Sequence, residues 1–456
     1  MKTLWKQPQK QLSSAQIIPL AFLSLIAIGT VLLMLPFATV SGKRTSILTA
    51  LFTATTSVCV TGLVVVDTYA HWTLFGKIVI FALIQLGGIG VIAVSSTFLL
   101  LFGRNFSIKD RVVLRDSFNL DSISGLVPFL LWIIRSVFLT EAVGALLYAF
   151  VFVPQYGWGT GLWYSVFHAV SAFCNAGIDI LGPDSLLPYA NNSWILFVTM
   201  LLIVLGGLGF IVWLDLSRHM RERMQNRKTP SRLSEHTKLV LWLTAGLIFS
   251  GAAMILLFEW SNPQTIGSMP IRQKVLHSLF QSVTFRTAGF AAIPQAGLTD
   301  SSVLLGCIYM FIGGSPMGTA GGVKTVTFFL LVASAHSYIR NRSETVLLRR
   351  RVSEALIRKS AAIIGFSLIV TLIMSAALLA ADGIPMADGM FEVFSATATV
   401  GLSRGITSTL SPLGRILIII CMYLGRIGPI SIALFFESSE GSENGIKHAN
   451  GRYFVG

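Results

Sequence analysis

The sequence predicts an all-α polytopic membrane protein: eight transmembrane helices and four re-entrant loops, laid out as four tandem helix–loop–helix repeats. Three observations predict it. The 456 residues are 54% hydrophobic and 12% charged, with a mean hydropathy of +0.74. The basic residues cluster in alternate inter-span loops. Two glycine marks recur four times in phase. A soluble chain of this size needs more charge to cover its surface.

The first span is expected at 17–37, behind a basic segment holding Lys2, Lys6 and Lys10. A bilayer takes about 20 apolar residues. This run is longer than a secretory core, and no small-x-small cleavage site follows it closely, so it reads as a retained span. Further spans are expected at 76–102, 126–153, 194–214, 239–259, 302–335, 361–381 and 413–436. Between the two spans of each pair lies a segment too short or too polar to cross: 46–66, 160–181, 274–292 and 386–405. Such segments are candidates for re-entrant loops.

The net charge of +14 raises the question of nucleic acid, and position answers against it. The charge lies in loops 104–115, 218–238 and 340–359. These hold Arg218, Arg221, Arg223, Arg227, Lys228 and Arg232, and then Arg349, Arg350 and Arg351. Basic clusters on alternate loops put those loops and both termini in the cytoplasm, where they face anionic lipid. Cys59, Cys174, Cys307 and Cys421 lie in apolar segments without metal-ligand spacing. The histidines form no metal motif. Gly88-Ile89-Gly90-Val91-Ile92-Ala93 copies a dinucleotide fingerprint by letter. It lies inside a span, without the strand and soluble helix that chemistry needs.

The first glycine mark is Val60-Thr61-Gly62-Leu63, Asn175-Ala176-Gly177-Ile178, Thr287-Ala288-Gly289-Phe290 and Thr399-Val400-Gly401-Leu402. Its glycines are 115, 112 and 112 residues apart. The second begins at Gly87, Gly206, Gly313 and Gly425, which follow by 25, 29, 24 and 24 residues. Two marks in phase indicate fourfold duplication. The expected units are 1–103, 104–217, 218–338 and 339–438, with a tail at 439–456.

Non-helical backbone at membrane depth is tolerated only where it is buried in protein or lines a water-filled path. Four re-entrant loops meeting on a pseudo-fourfold axis satisfy that condition. Each would enter as a short helix whose C-terminal end is partially negative, then leave as a strand whose carbonyls ligate a cation. Gly62, Gly177, Gly289 and Gly401 sit where inward carbonyls demand unusual backbone angles. No strand carries Asp or Glu, which argues against a calcium or magnesium site. Asp67 and Asp179 lie just outside and read as solvated loop residues or as attractors at the mouth. Arg286 with Glu392, and Arg135 with Glu141, read as buried structural charges whose pairing is open.

These marks resemble the membrane subunit of the Ktr/Trk/HKT superfamily of potassium transporters, the bacterial Ktr type above all. The resemblance covers nearly the whole chain. It implies potassium uptake across the cytoplasmic membrane of a bacterium, driven by membrane potential, with no enzyme activity. It implies a filter with potassium at Val60, Thr61, Gly62, Asn175, Ala176, Gly177, Thr287, Ala288, Gly289, Thr399, Val400 and Gly401. Members that admit sodium often carry serine at the first glycine, so Gly62 implies potassium preference. The resemblance also assigns a gate loop at 313–322, with Gly313, Gly314, Ser315, Gly318, Thr319, Gly321 and Gly322. Five glycines and Pro316 there cannot sustain a regular helix. Arg426 would meet that loop. The implied partners are a second copy of the chain and a cytoplasmic nucleotide-binding regulatory ring, with the nucleotide on the ring and no covalent cofactor on this chain. A sodium- or proton-coupled symporter is the competing reading. It needs midplane carboxylates, and Glu141 is the main one in the spans.

Overall fold

Apolar runs become helices here wherever no glycine cluster interrupts them. The computed structural model describes residues 14–90, 126–225 and 232–428. Lys2, Lys6 and Lys10, the end of the second span (91–102), loop 104–115, Arg227 and Lys228, the end of the last span (429–436) and the tail 439–456 lie outside the described residues.

In chain order the helices are α1 (Ser14–Leu33), α2 (Ile47–Val58) and α3 (Leu74–Ile89). Next come α4 (Leu126–Tyr156), α5 (Trp158–Phe173), α6 (Ser193–Gly207) and α7 (Phe210–Met224). Then follow α8 (Glu235–Glu259), α9 (Ile271–Thr284), α10 (Asp300–Phe311) and α11 (Thr325–Ile339). The series closes with α12 (Glu354–Asp382), α13 (Met386–Thr397) and α14 (Pro412–Ile427). A small hairpin, Val346–Leu347 with Arg350–Arg351, joins α11 to α12. Helices α1, α4, α8 and α12 are each long and apolar enough to cross a bilayer, so the chain is an all-helical multi-pass membrane protein.

Caps fix where the shorter helices start. Thr73, Asn192, Thr299 and Ser411 accept backbone N–H bonds at the starts of α3, α6, α10 and α14, which stabilises each by about 1 kcal/mol. The short helices α2, α5, α9 and α13 are lined with buried residues. Within α2 the hydroxyls of Thr53, Thr55 and Ser57 donate to carbonyls four residues back, so the polar side chains are satisfied without water.

Packing closes on itself. α3 touches α5, α6 touches α9, α10 touches α13, and α14 returns to α2. Two expected spans differ from straight helices. The one expected at 194–214 turns by 100° between α6 and α7. The cause is Gly209, whose φ of +92 ends the helix; the next amide, Phe210 N, donates to Met317 O at 3.1 Å. The one expected at 302–335 is interrupted between Phe311 and Thr325.

Candidate functional site

Each short helix ends by reversing its backbone. Val60, Asn175, Thr287 and Thr399 have φ of +55, +59, +64 and +51. Helix α2 shows how. Val60 N donates to Ser57 O at 3.2 Å and Thr61 N to Thr56 O at 2.8 Å, a paired capping pattern that normally has glycine in the left-handed position. A β-branched residue there is strained by about 1–3 kcal/mol. The same pattern closes α5 and α13, with Ala176 N on Ser171 O at 2.7 Å and Val400 N on Ser395 O at 2.8 Å. The third helix departs from it: Ala288 N reaches Thr284 O, one residue nearer, at 3.0 Å.

Two residues past each reversal stand Gly62, Gly177, Gly289 and Gly401, all with positive φ. They meet in cyclic order. A Cβ placed on Gly62 would strike Ala176 O; on Gly177, Ala288 O at 2.5 Å; on Gly289, Val400 O at 2.6 Å; and on Gly401, Thr61 O. Any side chain at these positions would push into the neighbouring carbonyl. Gly62, Gly177, Gly289 and Gly401, with Thr61, Ala176, Ala288 and Val400 before them, are thus brought into contact segment to segment in a closed ring.

Hydroxyls on the short helices hold the ring from behind. Thr56 Oγ1 accepts from Gly62 N and Ser395 Oγ from Gly401 N, both at 3.0 Å. Ser171 Oγ donates to Ile178 O at 2.5 Å and Thr284 Oγ1 to Phe290 O at 2.7 Å. These four residues were missed in the sequence. Their signal was a Ser or Thr five or six positions before each glycine.

The loop after α10 packs against the segments of the ring and the end of α6. Gly313 N donates to Val323 O at 2.9 Å, pinching its two ends together. Ser315 N and Thr319 N donate to Gly207 O and Gly206 O at 2.9 and 3.1 Å. Thr319 Oγ1 donates to Phe173 O at 3.0 Å, and Gly321 N to Thr287 Oγ1 at 3.1 Å. Arg426 donates to Thr319 O at 2.8 Å, and its other terminal nitrogen reaches Gly87 O and Gly88 O. One guanidinium thus ties the loop to α3 and α14. Gly318 and Gly322 bring the chain close to Gly206 O and to Gly313 respectively. Lys324 Nζ donates to Ala320 O at 2.6 Å.

Among the described residues, the buried carboxylates Glu141 and Glu392 are met by neutral groups. Arg135 is exposed. Glu141 accepts from Gln85 Nε2 at 2.9 and 3.1 Å, beside the Cys174 thiol. Glu392 accepts from Ser403 Oγ at 2.7 Å and from Thr407 Oγ1. Arg286 is 5% exposed and its Nε has no partner among the described residues. It lines a cavity of about 10 Å³ with Gly207 and Gly314, room for one water. Neutral hydrogen bonds replace ion pairs here because two charges moved out of water seldom recover their hydration. Asp67 Oδ1 caps a turn at Tyr69 N (2.8 Å) and Asp179 Oδ1 accepts from Leu181 N (3.2 Å), which is the loop reading of both.

A multi-pass helical chain with interrupted spans and glycine segments packed carbonyl to glycine belongs with the membrane proteins. The particular family follows from the sequence: it matches the cation transport protein family TrkH over residues 1–445, and the chain belongs to that family. It is a family of transporters, not of enzymes. The Ktr system potassium uptake protein B of Bacillus subtilis is 37% identical over 443 residues, 97% of this chain and 96% of the relative. The potassium/sodium uptake protein NtpJ of Enterococcus hirae is 35% identical over 436 residues, 95% of this chain and 94% of the relative. The crystal structure of the potassium transporter TrkH from Vibrio parahaemolyticus shares the fold, with a TM-score of 0.72 at 16% identity, over 95% of this chain and 86% of that one.

Proposed function

We propose that this chain is a Ktr-type potassium uptake protein of a bacterial cytoplasmic membrane, with both termini in the cytoplasm. Four duplicated units, 1–103, 104–217, 218–338 and 339–438, surround one pseudo-fourfold pore. Potassium passes through the ring of Val60 to Gly62, Asn175 to Gly177, Thr287 to Gly289 and Thr399 to Gly401. The observation that carries this reading is the cyclic contact of each glycine with the next segment's carbonyl. Uncharged carbonyls bind a monovalent cation without trapping it. The capped ends of four short helices add partial negative charge around the ring, roughly half an elementary charge each. The membrane potential supplies about 2.3 kcal/mol per charge per 100 mV.

The loop 313–322 and Arg426 act as the gate beneath the ring. The names of the relatives support potassium as substrate, and a Ktr system supports a cytoplasmic regulatory partner facing loops 218–238 and 340–359, with two copies of this chain in the assembly. Nucleotide would bind the partner. Coupled symport with sodium or a proton is the second reading, favoured by one observation: Glu141 is a buried carboxyl held by neutral groups beside Cys174.

The test is flux in liposomes holding the purified chain. Potassium entry driven by potential alone, without a sodium or proton gradient, is the expected result. Entry that requires either gradient favours the symporter. A folded protein that moves no cation even with the loop shortened removes the pore reading.

A further inference from the structure

One arginine, outside both the ring and the loop, ties two of the four segments together. Arg404 stands three residues after Gly401, at the opposite end of its segment from the contact of Thr399 with Gly321. Its Nε donates to Asp388 Oδ1 at 2.5 Å, and the two side chains are 13% and 22% exposed. Nη1 donates to Leu298 O at 3.2 Å and to Gln295 O at 3.4 Å, and Nη2 donates to Ala296 O at 3.2 Å. A guanidinium carries five N–H donors in one rigid plane. Here that plane spans from α13 to the turn 295–298, just before α10.

Both ends of this bridge lead back to the ring. Gln295 is buried, and its amide exchanges two hydrogen bonds with that of Gln281 on α9, at 2.7 and 3.1 Å. Three residues past Gln281, Thr284 holds Phe290 O, next to Gly289. On the other side, α13 carries Asp388 and then Glu392, which accepts the hydroxyls of Ser403 and Thr407 on either side of Arg404. One turn further, Ser395 holds Gly401 N. The third segment lacks a support that the others have. Gly87, Gly206 and Gly425 press on the last carbonyls of α2, α5 and α13, whereas Gly313 packs on Gly321 O. Among the described residues, the other ion pairs, Arg218 with Glu222, Arg350 with Glu235 and Arg351 with Glu344, join residues outside the ring segments and their short helices.

We propose that Arg404 is a positioning residue for ion selectivity. It clamps the third segment to the fourth and takes the place of the glycine joint that α10 lacks. None of its partners belongs to the loop 313–322, so the third quarter of the ring keeps its shape whatever the loop does. The charge of the guanidinium is met by Asp388 and three carbonyls, so it presents no bare cation to the ion path. A lysine keeps the charge but loses the planar span across four acceptors. This inference rests on the reading of the ring as a cation filter.

The test is paired potassium and sodium flux in liposomes, with the thermal transition of each protein followed in detergent. Arg404→Gln should lower selectivity for potassium several-fold, and Arg404→Lys should lower it too although the charge remains. Asp388→Asn should lower it in the native background and add nothing beside Arg404→Gln, because the two act through one contact. Gln273→Ala removes a side-chain bond to Asn191, outside the ring, and should leave selectivity at the native value. A folded Arg404 variant that melts earlier yet discriminates as the native chain does overturns the clamp and leaves the pore intact. If the glutamine variant does not fold, the lysine variant decides by the same criterion. An equal loss of selectivity in Gln273→Ala also overturns the role of Arg404. A native chain that passes both ions alike overturns the filter reading instead.

Discussion

The helices that follow the four short helices, α3, α6, α10 and α14, break in two ways. α3, α6 and α14 end on Gly90, Gly209 and Gly428, each with positive φ. Three residues earlier, Gly87, Gly206 and Gly425 press on the last carbonyls of the short helices: Val58 O, Phe173 O and Thr397 O. α10 does neither. Gly313 packs on Gly321 O instead, and the chain from 312 to 324 leaves the helix altogether. The short helix before it also ends differently, with Arg286 and a one-residue-shorter closing bond. Three of these helices thus share one joint and serve as frame. α10 lacks that joint, and the loop that follows it reaches Gly206, Gly207 and Phe173 on one side and Thr287, Thr399 and Arg426 on the other.

Substitutions can break the frame or free the loop, and the two should separate. The largest effect belongs to the frame. Gly206→Val places a side chain into Phe173 O and Thr319 Oγ1. It should cost more than about 3 kcal/mol by overpacking, read as loss of a cooperative thermal transition in detergent. Next is the loop anchor. Arg426→Gln removes charged hydrogen bonds to Thr319 O and Gly87 O. Each is worth about 1.5–3 kcal/mol, so resting potassium flux should rise about tenfold or more with the fold retained. If Arg426→Gln instead abolishes folding, the arginine belongs to the frame.

A smaller effect falls on the ring supports. Ser395→Ala strips Gly401 N of its acceptor. The buried N–H left behind costs about 1–3 kcal/mol. Selectivity for potassium over sodium should fall several-fold, measured from paired fluxes. The smallest should come from Arg135→Ala. Exposed, it should change stability by less than about 0.5 kcal/mol. A larger loss would show that the residue pairs after all.

Much of this architecture was legible in the sequence because glycine has no substitute where backbones touch. The marks at Gly62 and Gly87, and their counterparts, report close approach, and the loop announces itself by five glycines and a proline. The left-handed Val60, Thr287 and Thr399 were not legible. Their residue types oppose that conformation, and only the surrounding packing imposes it. The turn between α6 and α7 was hidden for a related reason. Leu205-Gly206-Gly207-Leu208-Gly209 reads like the other marks, and the bond from Phe210 N to Met317 O joins residues far apart in sequence. The charges were misread because apolar segments give no hint of which neutral group will meet Glu141 or Glu392.

The central claim is that the four glycine segments form one cation-selective ring. Paired potassium and sodium fluxes through liposomes, for the native chain and for Gly62→Ser, test it most directly. The serine side chain would push into Ala176 O and disturb a single quarter of the ring. The account predicts potassium well above sodium in the native chain and a selective gain of sodium in the variant. Equal potassium and sodium fluxes through the native chain, unchanged by the serine, would contradict it.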